Sequence, residues 1–374
     1  MRILFALNHP AHYYLFKFII KGLKNKGHNV EIVIKEKDIL EKLLILEGVH
    51  YTKISQKKNV NSKLAILLKG SLELLSRDIN LLKFVRNNKP SILVGTDIAI
   101  THIGRFFKIP SLVYNEDDFE INKFFCKLSY PFASAIIAPE YTSVGKYEKK
   151  KISYNGIQKM AYLGSNYYKP NDDILKIINL NLEDKFVIIR LVSLTAGHDI
   201  EGKHSGLTKE IIEKLIPIIT SKARLFITGE DNLPPELEKY RLKIPVNRMH
   251  DLMSYATLFI GDSQSMCAEA GILGVPFIRF NDFVGKIQYL NDIENTYNLG
   301  WGVKTDNPER LFVITNEVLS DDTIKAQWQK KKRQLFSDKI DLVSFSVWLI
   351  ENFPVSWKNL QTEKDIQNKF KYSI

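Results

Sequence analysis

Short runs of β-branched and aliphatic residues alternate with longer amphipathic stretches from one end of this chain to the other, and nothing else in it constrains the fold as much. Strand, helix and strand in that order is the pattern of parallel sheets covered by helices, because parallel neighbours need a crossover connection. In the first half the spacing predicts strands over Arg2–Leu7, Val30–Ile34, Ile92–Val94, Ser111–Tyr114 and Ala135–Ile137. Helices are predicted between them, near His12–Lys26, Asp38–Leu46, Ser62–Asn87, Ile98–Phe107 and Phe119–Ser129. The second half predicts strands over Phe186–Leu191, Arg224–Thr228, Leu258–Ile260, Pro276–Phe280 and Gly302–Lys304. Its helices fall near Thr208–Thr220, Pro235–Tyr240, Arg248–Tyr255, Met266–Leu273 and Pro308–Ser320. The expectation is an α/β protein of two doubly wound, Rossmann-like domains.

A chain of 374 residues exceeds what one core usually holds, which agrees with two domains. The boundary is expected in GSNYYKPNDD, where Gly, Pro and polar residues crowd together between periodic regions. That gives an N-terminal domain over 1–165, a C-terminal domain over 166–340, and a helical segment over 341–374 expected to pack across both. Ligands of such sheets sit outside the carboxyl ends of the strands, here in the cleft expected between the domains.

The chain starts directly on a strand, MRILFAL, and its most apolar early stretch, Tyr13 to Leu23, is interrupted by Lys17 and Lys21, so neither a signal peptide nor a spanning helix is expected. Cys126 and Cys267 are too few and too isolated for a disulfide framework or a Cys-based zinc site. A cytoplasmic setting follows as the expectation. Charge is uneven: residues 1–165 hold 26 Lys and Arg against 14 Asp and Glu, net +12, and residues 166–374 hold 27 against 28, net −1. The first half therefore suits an anionic partner, either an anionic membrane surface or a phosphorylated acceptor, unless its lysines only solvate long helices. Tyr13, Tyr14 and Phe16 are read as exposed aromatics that would aid membrane contact. Nucleic acid is excluded as a partner, since no recognised module or aromatic-interleaved basic strip is present.

Two stretches carry chemistry. In GDSQSMCAEAGILGVP, Gly261 to Pro276, a strand ends, a polar turn comes next and a helix begins whose first backbone N–H groups lack intrahelical partners. Such a start binds phosphate. Ser263 and Ser265 add hydroxyls, Gln264 adds an amide, Met266 opens the helix, and Glu269 one turn on can accept from two ribose hydroxyls. The plainer alternative is that Asp262 or Ser263 caps the helix and Glu269 faces solvent. In NHPAHYYLFK, Asn8 to Lys17, two histidines come directly after the first strand. An imidazole of ordinary pKa, about 6.5, can take a proton from an acceptor hydroxyl, although His9 and His12 could equally cap the loop and the helix.

The first stretch resembles the donor-site helix of UDP-N-acetylglucosamine 2-epimerases and related GT-B glycosyltransferases, on Asp262-Ser263, Glu269-Ala270 and Leu273-Gly274-Val275-Pro276. It departs from the epimerases at Gln264-Ser265, where they carry two glycines, and at Gly271, where they carry proline. The segment Ile244 to Ile260, with Met249, is similar to the one whose backbone holds the base. The decamer closely resembles the amino-terminal signature of a family of largely uncharacterised bacterial and archaeal proteins expected to be GT-B glycosyltransferases. The resemblance implies a metal-independent, cofactor-free and inverting enzyme, with His12 as base and His9 second. It also implies that Asp97, after Gly95-Thr96, and Glu116, in Asn115-Glu116-Asp117-Asp118, orient the base or acceptor, although both could cap the helices after them.

Further polar residues end strands of the second half. Arg190, Ser193 and Thr195 could bind phosphate and His198 could approach the sugar, in a segment that a surface loop would also explain. Gly229, Arg279, Asn281 and Asp282 could touch base or sugar hydroxyls. The expected function is transfer of a glycosyl unit from a nucleotide diphosphate sugar, UDP-linked by resemblance, to a glycan or lipid-linked acceptor of surface-polysaccharide synthesis. The alternatives are a UDP-sugar 2-epimerase or hydrolase on the same fold, and a non-catalytic sugar-nucleotide binding protein.

Overall fold

The structure, a computed structural model, describes residues 1–35, 38–55, 78–191, 206–229, 233–363 and 365–372. The chain divides into two compact units, Met1–Tyr162 with Lys339–Tyr372, and Leu163–Asp338.

The first unit is a parallel sheet of order β3-β2-β1-β4-β5-β6-β7, formed by β1 (Arg2–Leu7), β2 (Asn29–Lys35), β3 (Thr52–Ser55), β4 (Ile92–Gly95), β5 (Ser111–Tyr114), β6 (Ala135–Pro139) and β7 (Lys151–Tyr154). Its central strands are apolar throughout, as a sheet covered on both faces requires. Alternation of side chains along β1 separates the two faces. Leu4 and Ala6 join Leu81, Val85, Ala99, Ile100 and Ile103 in the core under helix Ala99–Phe107 and the 78–88 helix. Phe5 faces the other way, 5.2 Å from Phe16 of helix Pro10–Asn25, and Phe16 meets Tyr114 edge-on at 5.1 Å. Helix Leu342–Glu351 returns to this unit: Glu351 binds Lys26 at 2.6 Å, and Val347 lies where a side chain on Gly22 would collide.

These contacts correct the expectation for Tyr13 and Phe16. Both are buried. They lie on the apolar stripe of an amphipathic helix, where full burial of one such ring is worth roughly 1.5–3 kcal/mol. Tyr14 stacks on Tyr162 at 5.3 Å.

The second unit is a parallel sheet of order β12-β11-β10-β8-β9, formed by β8 (Phe186–Leu191), β9 (Arg224–Gly229), β10 (Leu258–Gly261), β11 (Phe277–Phe280) and β12 (Gly300–Val303). In each sheet the chain reverses its direction of winding at one place, between β1 and β4 and between β8 and β10. Helices on opposite faces diverge there and leave a crevice at the strands' carboxyl ends. Two doubly wound α/β units are thus present, as the alternating pattern predicts. Among the described residues no helix is long and apolar enough to cross a membrane.

Candidate functional site

Parallel register gathers the chemistry of the second unit at one edge of its sheet. Gly261 at the end of β10 pairs with Arg190 of β8 and Arg279 of β11, and Gly229 ends β9 beside Leu191. Beyond Gly261 the chain turns through Asp262 into helix Gln264–Leu273. Ser263 is the N-cap, its side chain accepting from the Met266 N–H at 3.4 Å. The helix starts two residues earlier than the sequence pattern indicates because Ser263, in extended conformation, caps a helix whose first residue is its immediate neighbour Gln264. Its first turn contains no acidic residue, and Ser263, Gln264, Ser265 and Met266 all retain solvent access while Cys267 to Leu273 are buried. The helix stops at Gly274, whose φ of +79° is the left-handed conformation glycine adopts without strain.

The turn is braced from behind. Asn281 donates to the Asp262 carbonyl at 3.0 Å and accepts from Arg279 at 3.2 Å. Arg279, wholly buried, makes a two-pronged ion pair with Glu294 at 2.7 and 2.9 Å. Asn281 therefore holds the loop's backbone while Arg279 holds Asn281, and Arg279, read from the sequence as a group for base or sugar, is inaccessible to either. Asp282 bonds Thr305, and Arg190 donates to Thr228 at 3.3 Å. Gly206 lets a second segment come close to the turn, since a Cβ there would lie 2.7 Å from the Asp262 carboxylate.

Glu269 sits one turn into the helix, nearly buried, with its Oε2 3.2 Å from Nε2 of His250. His250 belongs to helix Met249–Tyr255, packed beside Gln264–Leu273. Asp251 of the same helix is held by Tyr168 at 2.7 Å and Arg248 at 2.6 Å. Met249 opens the helix that packs beside the one carrying Glu269. Ser193, Thr195 and His198 lie outside the described residues.

In the first unit, register places the segment after β1 beside the end of β4, with Ala6 opposite Gly95. His9 is the N-cap of helix Pro10–Asn25, its Nδ1 accepting from the Ala11 N–H at 3.2 Å. Nδ1 of His12 accepts from the Asn8 N–H at 3.2 Å. In a neutral imidazole one nitrogen accepts and the other carries the proton, so this contact puts the His12 proton on Nε2. The Asn8 side chain also bonds the buried Asp97 carboxylate, whose other oxygen accepts from the Ile100 N–H at 3.3 Å. Asn8 thus joins Asp97 to His12, a link that spans 89 positions of the sequence between Asn8 and Asp97. Glu116 at the end of β5 is buried against Lys159 and accepts from the Gln158 N–H at 3.3 Å. Asp117 beside it has its carboxyl pushed above the usual range by burial, with the Asp118 charge adding to the effect.

Among the described residues no group of three or more His, Cys, Asp or Glu side chains comes together as a metal-ligand set. Residues 1–296 match the family described as Protein of unknown function (DUF354). The chain belongs to that family. A sequence search of curated proteins finds no match. Solved structures similar to this DUF354 member share its fold at low identity. The UDP-GlcNAc 2-epimerase of Neisseria meningitidis bound to UDP-GlcNAc has a TM-score of 0.59 at 14% identity, over 90% of this chain and 98% of that one. The S. aureus MnaA-UDP co-structure gives 0.64 at 14% identity, over 97% and 98%. The glycosyltransferase VinC in complex with dTDP gives 0.62 at 12% identity, over 96% and 100%.

Proposed function

We propose that this DUF354 protein is a glycosyltransferase that uses a nucleotide diphosphate sugar, UDP-linked in the first instance. The observation that carries the reading is the accessible start of helix Gln264–Leu273 at the winding reversal of the second sheet, with acid-free hydroxyl and amide side chains in its first turn. Unpaired N–H groups and the helix dipole there favour a diphosphate, the more so as charge builds on it when the sugar leaves. Glu269 is the proposed ribose acceptor, with the His250 imidazole fixing one of its oxygens. Similarity in fold to proteins solved with UDP, UDP-GlcNAc and dTDP supports the same ligand class.

An acceptor hydroxyl, on a glycan or lipid-linked saccharide, is proposed to bind the cationic first unit. Its oxygen bonds the anomeric carbon as the bond to the diphosphate breaks, and its proton passes to solvent water. His12 is the proposed catalytic group of that unit, with His9 second. Because Nδ1 of His12 is engaged by Asn8, its neutral ring offers Nε2–H, which suits stabilising developing negative charge. Removing the acceptor's proton at Nε2 would first require a change of tautomer. Asp97 is proposed to position His12 through Asn8, and Glu116 to shape the acceptor side through its pair with Lys159.

The test is release of nucleoside diphosphate from a panel of nucleotide sugars, with and without oligosaccharide or lipid-linked acceptors. Acceptor-dependent release supports transfer. Conversion of the donor without acceptor identifies an epimerase or hydrolase, and tight binding without turnover identifies a sugar-nucleotide sensor.

A further inference from the structure

Helices Ala99–Phe107 and Lys123–Ser129 cover one face of the first sheet, and two phenylalanines on them, with Phe132 in the turn after the second, stay in solvent. Phe106 is 68% exposed, Phe124 is 74% exposed and Phe132 is 42% exposed. His102 links the first helix to the second and to Phe132. Its ring meets Phe132 edge-on at 5.0 Å, and its Nε2 bonds the Leu128 carbonyl at 3.0 Å. Phe106 lies one helical turn after His102 on the same side, and Phe124 precedes Leu128 by one turn. The inner side of Lys123–Ser129 is ordinary core, with Cys126 and Tyr130 packed on Val113, Ala133 and Ile136.

Charge around these rings is mostly positive. Arg105, Lys108, Lys123 and Lys127 are exposed on these two helices and their ends, and neither 99–114 nor 121–139 contains an Asp or Glu. The acids that come near are engaged, Asp78 by His102 at 2.9 Å and Glu120 by Lys123 at 2.5 Å. Single exposed apolar residues are normal on a protein surface, whereas several exposed aromatic rings on adjoining helices, edged with cations, mark an interaction surface. An anionic phospholipid bilayer matches both features, with negative headgroups outside and an apolar layer just beneath, reached by phenylalanine rings while lysine stems extend to the headgroups.

We propose that the face formed by Ala99–Phe107, Lys123–Ser129 and Phe132 seats this protein peripherally on anionic phospholipid bilayers. The inference stands apart from the transfer reaction, and its test reads no activity. Full-length protein is sedimented with vesicles of phosphatidylglycerol and phosphatidylcholine, or of phosphatidylcholine alone, at low and high salt. Wild type sediments with the anionic vesicles at low salt and dissociates as salt rises. Each cation near the surface is worth about a fivefold change in partitioning, so Lys123→Glu/Lys127→Glu lowers it by at least about 25-fold. Phe106→Ser/Phe124→Ser lowers it at least tenfold, and unchanged melting temperatures show that both variants are folded. Absence of wild-type binding to anionic vesicles at low salt overturns the proposal, as does wild-type partitioning in both double variants. It is also overturned if sedimentation velocity shows a dimer that Phe106→Ser/Phe124→Ser disperses, with vesicle binding unaffected, because a second copy then covers this face.

Discussion

Glu269 and His12 show how a side chain's partner sets what it can do. The His250 contact holds one oxygen of Glu269 in place, which would lower the ordering cost of the proposed ribose contact. A hydrogen bond to a charged group is worth about 1.5–3 kcal/mol, so Glu269→Ala weakens uridine nucleotide binding by roughly 10- to 100-fold, measured by calorimetry. Glu269→Gln is expected to fall between that variant and wild type; equal affinity in all three would remove Glu269 from the site. For His12, long-range proton–nitrogen NMR is expected to find Nδ1 unprotonated and Nε2 protonated at pH 8. A protonated Nδ1 would return His12 to the role of base. The sequence makes both residues visible as polar groups next to apolar runs. Their partners Asn8 and His250 are not visible in this way, because contacts between helices, or between a loop and its own helix, depend on packing directions that no local pattern encodes.

At the scale of elements, strong apolar periodicity made most strands and helices readable, and weak edges did not. β3 and β7, TKIS and KISY, went unrecognised: they are four-residue edge strands with polar positions facing outward, the composition that protects a sheet edge. Helix Pro10–Asn25 starts before the sequence pattern suggests because Pro10 occupies its first turn, where a missing N–H costs nothing. The segment Pro235–Tyr240, expected as a helix, is a 3₁₀ helix that opens on Pro235 with Pro234 as its cap. The predicted helix over Ser62–Asn87 is helical at 78–88, and its remainder lies outside the described residues. His102 joins the 78–88 helix through Asp78 and helix Lys123–Ser129 through the Leu128 carbonyl. Its pKa is raised, chiefly by the Asp78 hydrogen bond. Folding therefore favours the protonated ring, so its stabilisation is complete below the ordinary value of about 6.5 and is lost as pH rises through the higher folded value. His102→Gln should lower the melting temperature more at pH 6 than at pH 8.5; a loss that is the same at both values would show that His102 contributes only packing.

For the whole molecule, the alternation of strand and helix is enough to read two doubly wound units, and the strand order marks where each sheet reverses its winding. The charge asymmetry was legible as a number, but its placement was not. Tyr13 and Phe16 proved to be core, and the exposed aromatics lie on other helices, because burial depends on which side of each helix meets the sheet. The central claim is that the start of helix Gln264–Leu273 holds a diphosphate, and Ser265→Asp tests it most directly, because stability and affinity should move in opposite directions. An added carboxylate in a first helical turn favours the helix by about 0.3–1 kcal/mol and repels a bound phosphate. Calorimetry with UDP and thermal unfolding of the ligand-free protein are expected to show at least a tenfold loss of affinity with an unchanged or higher melting temperature. UDP binding by Ser265→Asp as tight as by wild type, or no binding by either, would contradict the account.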